Sequence, residues 1–220
     1  DIQYSDMCVI YKSDVQHKES YETLKKEYNY VKFIEEKNFK NDLLSIISDR
    51  SLVFFVVDDT IFTDCFSLRD ISLTLLCEKD CLGFSLRLGS NTNWCYPFNC
   101  NQNIPEITYF NSLPVCGKYC WTNAHLDFSY PLEVSSSLYR VKDLLPFLQV
   151  CQYANPNALE AIMLSNVGRF SQSKPNLLCF EKSVAFSNPI NKVQQYNNNR
   201  SENISSDYLL QEFQNGKRID

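Results

Sequence analysis

The 220-residue sequence has no surplus of basic residues: 21 Lys and Arg stand against 26 Asp and Glu, for a net charge of −5 and a pI near 5.1. Neutralising a phosphate backbone takes Lys and Arg gathered on one face, so this composition argues against a nucleic-acid partner. Long apolar runs are also missing. The best candidate, residues 52–57, ends at once on two aspartates, and no transmembrane segment is expected. The chain opens Asp1, Ile2, Gln3, Tyr4, without an initiator Met, a basic n-region or a signal peptide. It is expected to be a trimmed fragment of a cytoplasmic protein. Histidine is nearly absent, with only His17 and His125. That scarcity bears on the ten cysteines, whose pairs Cys77/Cys81, Cys95/Cys100 and Cys116/Cys120 superficially resemble zinc spacings. Structural zinc favours closely spaced Cys pairs on turns, often with His, whereas Cys77 and Cys81 straddle an expected helix-to-strand junction. Reduced, mostly buried thiols are the expected state.

What is present is the composition of a globular domain, 44% hydrophobic and 21% charged, long enough to bury a core without disulfides or metal. Residues 7–11 (MCVIY) read as a buried strand, 21–28 as a helix and 31–34 as a second strand. Residues 39–47 form an amphipathic helix with Phe39, Leu43, Leu44, Ile46 and Ile47 inward. Residues 52–57 are a β-branched and aromatic strand. Strands alternating with helical crossovers predict a mixed, mainly parallel sheet. Further on, 68–78 read as a helix, 83–88 as a strand, and 90–123 as loops and short strands. Residues 141–150 read as a helix bent at Pro146, and Pro156 opens another running to about Asn166. Polar residues 188–203 predict a mobile loop before a terminal helix begun by Ser206 and Asp207. No repeat or linker divides the chain.

The chemistry concentrates in VFFVVDDT at 53–60. Asp58 and Asp59 lie at the carboxyl end of a strand, where open α/β sheets bind ligands. Adjacent carboxylates repel, and a hard divalent cation, Mg2+ or Mn2+, would offset that repulsion while holding a substrate diphosphate. A solvated turn after a strand explains the same two residues. A phosphatase-type aspartyl nucleophile does not fit, because Thr60 stands where the second Asp of such a motif belongs.

These residues belong to a wider pattern. VVDDTIF at 56–62, FSLRLG at 84–89, DFSYPLEVSSSLYR at 127–140, NPNALE at 155–160, NPINKVQ at 188–194 and NNR at 198–200 occur in one order. In this the sequence resembles glycosyltransferases of the A-type fold (GT-A), close to family 2 and to a group of bacterial and viral relatives. The resemblance implies an α/β GT-A domain, truncated at its N-terminus by one strand and helix. A single domain over 1–220 is expected, with 1–60 the nucleotide- and metal-binding part and 61–220 the donor-sugar and acceptor part.

The resemblance also implies roles. Asp59 would be the direct metal ligand, with Asp58 nearer the ribose or the metal, and the cation would act as a Lewis acid on the leaving diphosphate. Glu160, placed in the first turn of the helix opened by Pro156, would deprotonate the acceptor hydroxyl, or else only complement the helix dipole. Lys12, Ser13 and Lys40 would face the nucleotide, and Arg87 would reach phosphate or equally brace a carboxylate inside. Trp121, Asp127, Tyr130 and Asn157 would shape the sugar and acceptor pockets, with core packing the alternative for Trp121 and Tyr130. Relatives supply a late His to the metal; none follows His125, and Asn191 or Gln194 would substitute. The implied activity is inverting, metal-dependent sugar transfer from a nucleotide-diphosphate donor to a carbohydrate hydroxyl, as in polysaccharide biosynthesis. The rival is an inactive carbohydrate- or sugar-nucleotide-binding domain of the same fold.

Overall fold

A computed structural model describes residues 6–110, 115–188 and 204–218. Strand β1 (Cys8–Tyr11) leads through helix α1 (Lys18–Glu27) to strand β2 (Lys32–Glu35), and the two strands pair in parallel. Helix α2 (Phe39–Ile47) begins with a reciprocal cap. The Asn38 side chain accepts the Asn41 N–H at 3.0 Å, while Asp42 accepts the N–H groups of Lys37 and Asn38. Phe39, Leu43 and Ile47 recur at every fourth position and are buried, as the apolar stripe predicts.

Strand β3 (Leu52–Val56) turns into the short β4 (Thr60–Phe62), followed by helix α3 (Leu68–Cys77) and strand β5 (Cys81–Ser85). A small hairpin, β6 (Trp94–Cys95) and β7 (Cys100–Asn101), precedes β8 (Thr108–Tyr109) and β9 (Cys116–Cys120). Strand β10 (Ser136–Arg140), helices α4 (Val141–Val150) and α5 (Pro156–Ser165), strands β11 (Asn176–Phe180) and β12 (Ala185–Ser187), and helix α6 (Ser206–Gln214) complete the chain.

The central sheet has six strands in the order β3-β10-β5-β11-β9-β8, and β1–β2 and β4–β12 form separate pairs. Within the central sheet only β5 and β11 pair in parallel; the other neighbours are antiparallel. The expected mainly parallel sheet is therefore corrected to a mixed sheet dominated by antiparallel pairs. The strand–helix alternation that suggested it persists through β3, after which β10 enters between β3 and β5 and runs against both. β10 begins with Ser136 and Ser137, both buried, and so lacks the apolar run that marks a buried strand. The strand expected at 83–88 lies at Cys81–Ser85.

Both faces of the sheet are covered. Along β11, Leu177 and Cys179 join one core cluster with Phe39, Leu144 and Leu159, while Leu178 and Phe180 join the other with Ile71 and Leu75, the period-two alternation of a strand buried on both sides. Arg140, 2% exposed, closes β10 by donating to the carbonyls of Cys81 (2.8 Å), Glu78 (2.8 Å) and Leu75. Its guanidinium thus joins the C-terminal end of α3, at Leu75 and Glu78, to the start of β5 at Cys81. No disulfide joins any of the ten cysteines; Cys81, Cys95, Cys116 and Cys179 are buried, and Cys65 and Cys77 are exposed. No helix among the described residues is long and apolar enough to cross a membrane.

Close packing of β5 on β10 depends on Gly83: a Cβ there would lie 2.6 Å from the Tyr139 ring and 2.9 Å from the Leu138 carbonyl oxygen. Gly83→Ala is expected to cost about 1–3 kcal/mol by overpacking, read as a lowered midpoint in thermal and urea unfolding.

Candidate functional site at the end of strand β3

Asp58 and Asp59 occupy the turn between β3 and β4. Three contacts fix it: the Thr60 N–H donates to the Val57 carbonyl at 3.1 Å, the Thr60 hydroxyl donates to the Ser135 carbonyl at 2.6 Å, and the Asn188 N–H donates to the Asp59 carbonyl at 2.7 Å. Asp58 is exposed, whereas Asp59 is half-buried. The Asp59 Oδ1 atom is shut away from solvent and has no hydrogen-bond partner. Burial, and then the neighbouring charge of Asp58, push the Asp59 carboxyl above its ordinary value. Tyr21 of α1, stacked on Tyr11 at 4.3 Å, has its hydroxyl raised by burial and then by the charge of Asp58.

Glu160 comes from α5, which Asn155 caps by accepting the Ala158 N–H at 2.8 Å, with Pro156 as its first residue. The expectation that Glu160 sits in the first turn is corrected: no acidic residue lies in the first turn of α5. Glu160 is one residue further along and faces inward, so the helix dipole, which fades beyond the first turn, does not explain it. Burial raises its pKa; the Tyr130 hydroxyl, hydrogen-bonded to the carboxylate, lowers it, Glu133 raises it, Arg87 lowers it and Asp59 raises it, with a net rise. Asp59 and Glu160 therefore share one electrostatic environment.

Arg87 is the cation of that environment. Its Nη1 lies 3.4 Å from Asp127 Oδ1 and its Nε 3.9 Å from Glu133 Oε2. Burial works against its charge, but Glu133, Asp127 and Glu160 outweigh burial and raise its pKa. Glu133 escaped the sequence reading. It is 2% exposed, and its carboxylate accepts the Ser135 N–H at 2.7 Å, the Ser136 N–H at 3.2 Å and the hydroxyls of Ser135 and Ser137. The signal for it was a glutamate followed at the second, third and fourth positions by serines. Gln102 was missed as well. It donates to Asp127 Oδ2 at 3.1 Å and accepts the Asp127 N–H at 3.1 Å.

The structure thus brings together Asp59, Arg87, Asp127, Tyr130 and Glu160, with Asp58 beside Asp59. Other expected site residues are used differently. The Lys40 ammonium donates to the carbonyls of Gln149 (2.8 Å) and Cys151 (2.7 Å), tying α2 to the end of α4. Trp121 is 6% exposed within the core, its indole N–H donating to the Lys174 carbonyl at 2.7 Å, and so offers no stacking face to a sugar. Lys12 is exposed and Ser13 half-buried just after β1, and Asn157 is exposed on the first turn of α5. Asn191 and Gln194 lie outside the described residues.

Among the described residues, the close trio of ligand-type side chains is Glu78, Asp80 and Cys81. Lys118 Nζ already neutralises it, 2.8 Å from Glu78 and 3.3 Å from Asp80. The chemistry available at the end of β3 is different: a carboxylate pair with an unbonded buried oxygen, and a buried acid of raised pKa nearby.

Comparison with known proteins adds to this geometry. An alignment of 143 positions that covers 60% of the chain is 29% identical to the bifunctional glycosyltransferase pgtA of Dictyostelium discoideum. The chain is distantly related to a glycosyltransferase. It spans 18% of that relative's length. No family model and no solved structure matches the chain.

The raised pKa of Glu160 makes a prediction of definite sign. A carboxyl whose folded pKa exceeds its unfolded value contributes stability below the ordinary Glu value of 4.5 that is lost as pH rises through the folded pKa. Glu160→Gln has no proton to lose there. In metal-free buffer its melting temperature should match the parent's near pH 4 and exceed it increasingly toward pH 7, by about 2–4 °C for each kcal/mol relieved.

Proposed function

We propose that this chain is part of a GT-A glycosyltransferase that moves a sugar from a nucleotide-diphosphate donor to a carbohydrate hydroxyl, with inversion, using Mn2+ or Mg2+ held at Asp59 and Asp58. The observation that carries the proposal is the buried, unbonded Oδ1 of Asp59 beside a second carboxylate. Such an oxygen is unfavourable without a cation or donor to satisfy it, and carboxylate oxygens match the preference of hard divalent ions. The distant relationship to a glycosyltransferase points the same way. A bound cation supplies Lewis-acid stabilisation of the departing diphosphate.

The remaining steps belong to the chain's own groups. Glu160 takes the proton of the acceptor hydroxyl as that oxygen attacks the anomeric carbon and the bond to the diphosphate breaks. A base whose pKa is raised toward neutrality holds the abstracted proton more effectively, and burial provides that rise. Tyr130 orients the carboxylate through its hydroxyl, and Arg87 limits how far the pKa climbs. A single displacement of this kind needs one base and no enzymic nucleophile, which is the basis for inversion. Lys12 and Ser13, following β1, are the proposed nucleotide contacts. Residues 1–60 are the proposed nucleotide and metal part and 61–220 the sugar and acceptor part.

A second reading, a non-catalytic sugar-nucleotide-binding domain of the same fold, is favoured by one observation. Among the described residues, Asp58 and Asp59 are not joined by a third acid, His or Cys in a close trio.

Donor hydrolysis separates the two readings. The parent is expected to release nucleoside diphosphate from a sugar nucleotide slowly in Mn2+, and Asp59→Ala to lose both this release and calorimetric Mn2+ binding. Glu160→Gln is expected to lower kcat for transfer by about 10²–10⁴-fold with donor binding retained. Unchanged Mn2+ binding in Asp59→Ala would end the metal assignment.

A further inference from the structure

From Leu88 to Pro105 the chain carries no charged residue, in a protein that is 21% charged. The same stretch carries five asparagines and the aromatic residues Trp94, Tyr96 and Phe98. It forms the β6–β7 hairpin, whose turn places Asn99 at a positive φ of 52°. The aromatic rings are not folded inward: Trp94 is 46% and Phe98 71% exposed, and Tyr96 is exposed as well. Between them Cys95 is buried, its thiol against Asp127.

The hairpin is attached to the proposed catalytic site. Buried Gln102 follows β7 directly, donating to the Thr92 carbonyl at 3.0 Å and to Asp127 Oδ2 at 3.1 Å while accepting the Asp127 N–H. Asp127 in turn pairs with Arg87, which acts on Glu160. The exposed rings are therefore continuous with the acidic site through two side chains. Exposed aromatic faces among neutral amides match one ligand chemistry well. A sugar ring offers an apolar C–H face for stacking and hydroxyls that both donate to and accept from amide groups. An anionic or cationic partner would find no complementary charge in this stretch.

We infer that the β6–β7 hairpin is a docking platform for a neutral glycan, with sugar rings stacked on Trp94 and Phe98 and hydroxyls met by the exposed Asn93, Asn101 and Asn103. Its identity as the acceptor subsite rests on the glycosyl-transfer reading; the binding itself does not. Both key rings lie on the surface, so their replacement leaves the core intact.

The two tryptophans differ in burial, so Trp94 reports selectively on binding at the hairpin. The whole chain is titrated with hexasaccharides of glucose, mannose and N-acetylglucosamine, with oligogalacturonate as the charged control. The expected result is a saturable blue shift with at least one neutral hexasaccharide and none with oligogalacturonate. Phe98→Ala should weaken binding roughly tenfold, and Trp94→Ala should abolish binding by calorimetry, each with an unchanged melting curve. In the transfer assay, Phe98→Ala should raise the acceptor KM while leaving kcat and Mn2+-dependent donor hydrolysis unchanged. The inference is overturned by no response to any neutral probe, by an equal response to oligogalacturonate, or by binding that survives both substitutions. Self-association that disappears in Phe98→Ala overturns it too, assigning the patch to a second copy of the chain. Glycan binding without donor hydrolysis in the parent would instead sink the transfer reading and leave the platform standing.

Discussion

Arg87 holds a full charge among Asp127, Glu133 and Glu160, and taking its guanidinium out of water would be prohibitive were those acids not arranged around it. The dependence runs both ways. Without Arg87, three carboxylates would stand close together in a partly dry environment with no cation to offset their repulsion. The group still carries more negative charge than one arginine offsets, since Asp59 adds its field to Glu160. That residual negative charge gives the site its chemical character. On the proposed glycosyl-transfer reading, it draws a divalent cation to one end and keeps a carboxyl able to accept a proton at the other.

The backbone is organised to keep this arrangement rigid. Glu133 gathers the N–H and hydroxyl groups of the serines that open β10, and the Ser135 carbonyl of that loop receives the Thr60 hydroxyl next to Asp59. The Tyr139 hydroxyl accepts the Glu133 N–H at 2.9 Å and lies 3.0 Å from the Pro131 carbonyl. One buried acid thus ties the strand carrying the Asp pair to the loop that holds Arg87's partners. Although the Ser136 hydroxyl has no partner in it, a buried polar network of this kind favours one geometry where an apolar core would tolerate several.

Much of the helical framework was legible in the sequence, because α2, α4 and α5 each show apolar periodicity bounded by a cap, a proline or a turn. Helix α4 runs through Pro146 without interruption. The Asp pair was legible for a related reason, since a strongly apolar strand ending on charge is conspicuous. The sheet was less so. Strands β9 and β10 mix Gly, Lys, Ser and Arg with apolar residues, and strand direction leaves no local trace, because it is decided by which neighbour the strand meets. Glu133 and Lys40 mark the limit from opposite sides. A glutamate in a serine-rich loop reads as solvated but is buried, and a lysine opening a helix reads as a ligand contact but caps a distant helix end. Both depend on partners far away in sequence, which a residue-by-residue reading does not see.

The distribution of thiols has a practical corollary for handling the molecule. Burial pushes the pKa values of Cys81 and Cys179 up to about 12, so these sulfurs stay protonated and slow to react under ordinary buffer conditions. Cys65 and Cys77 lie on the outside, where oxidants and other thiols reach them. Loss of reductant during purification would therefore link intact molecules to one another through their surfaces, yielding covalent dimers whose interiors remain natively packed.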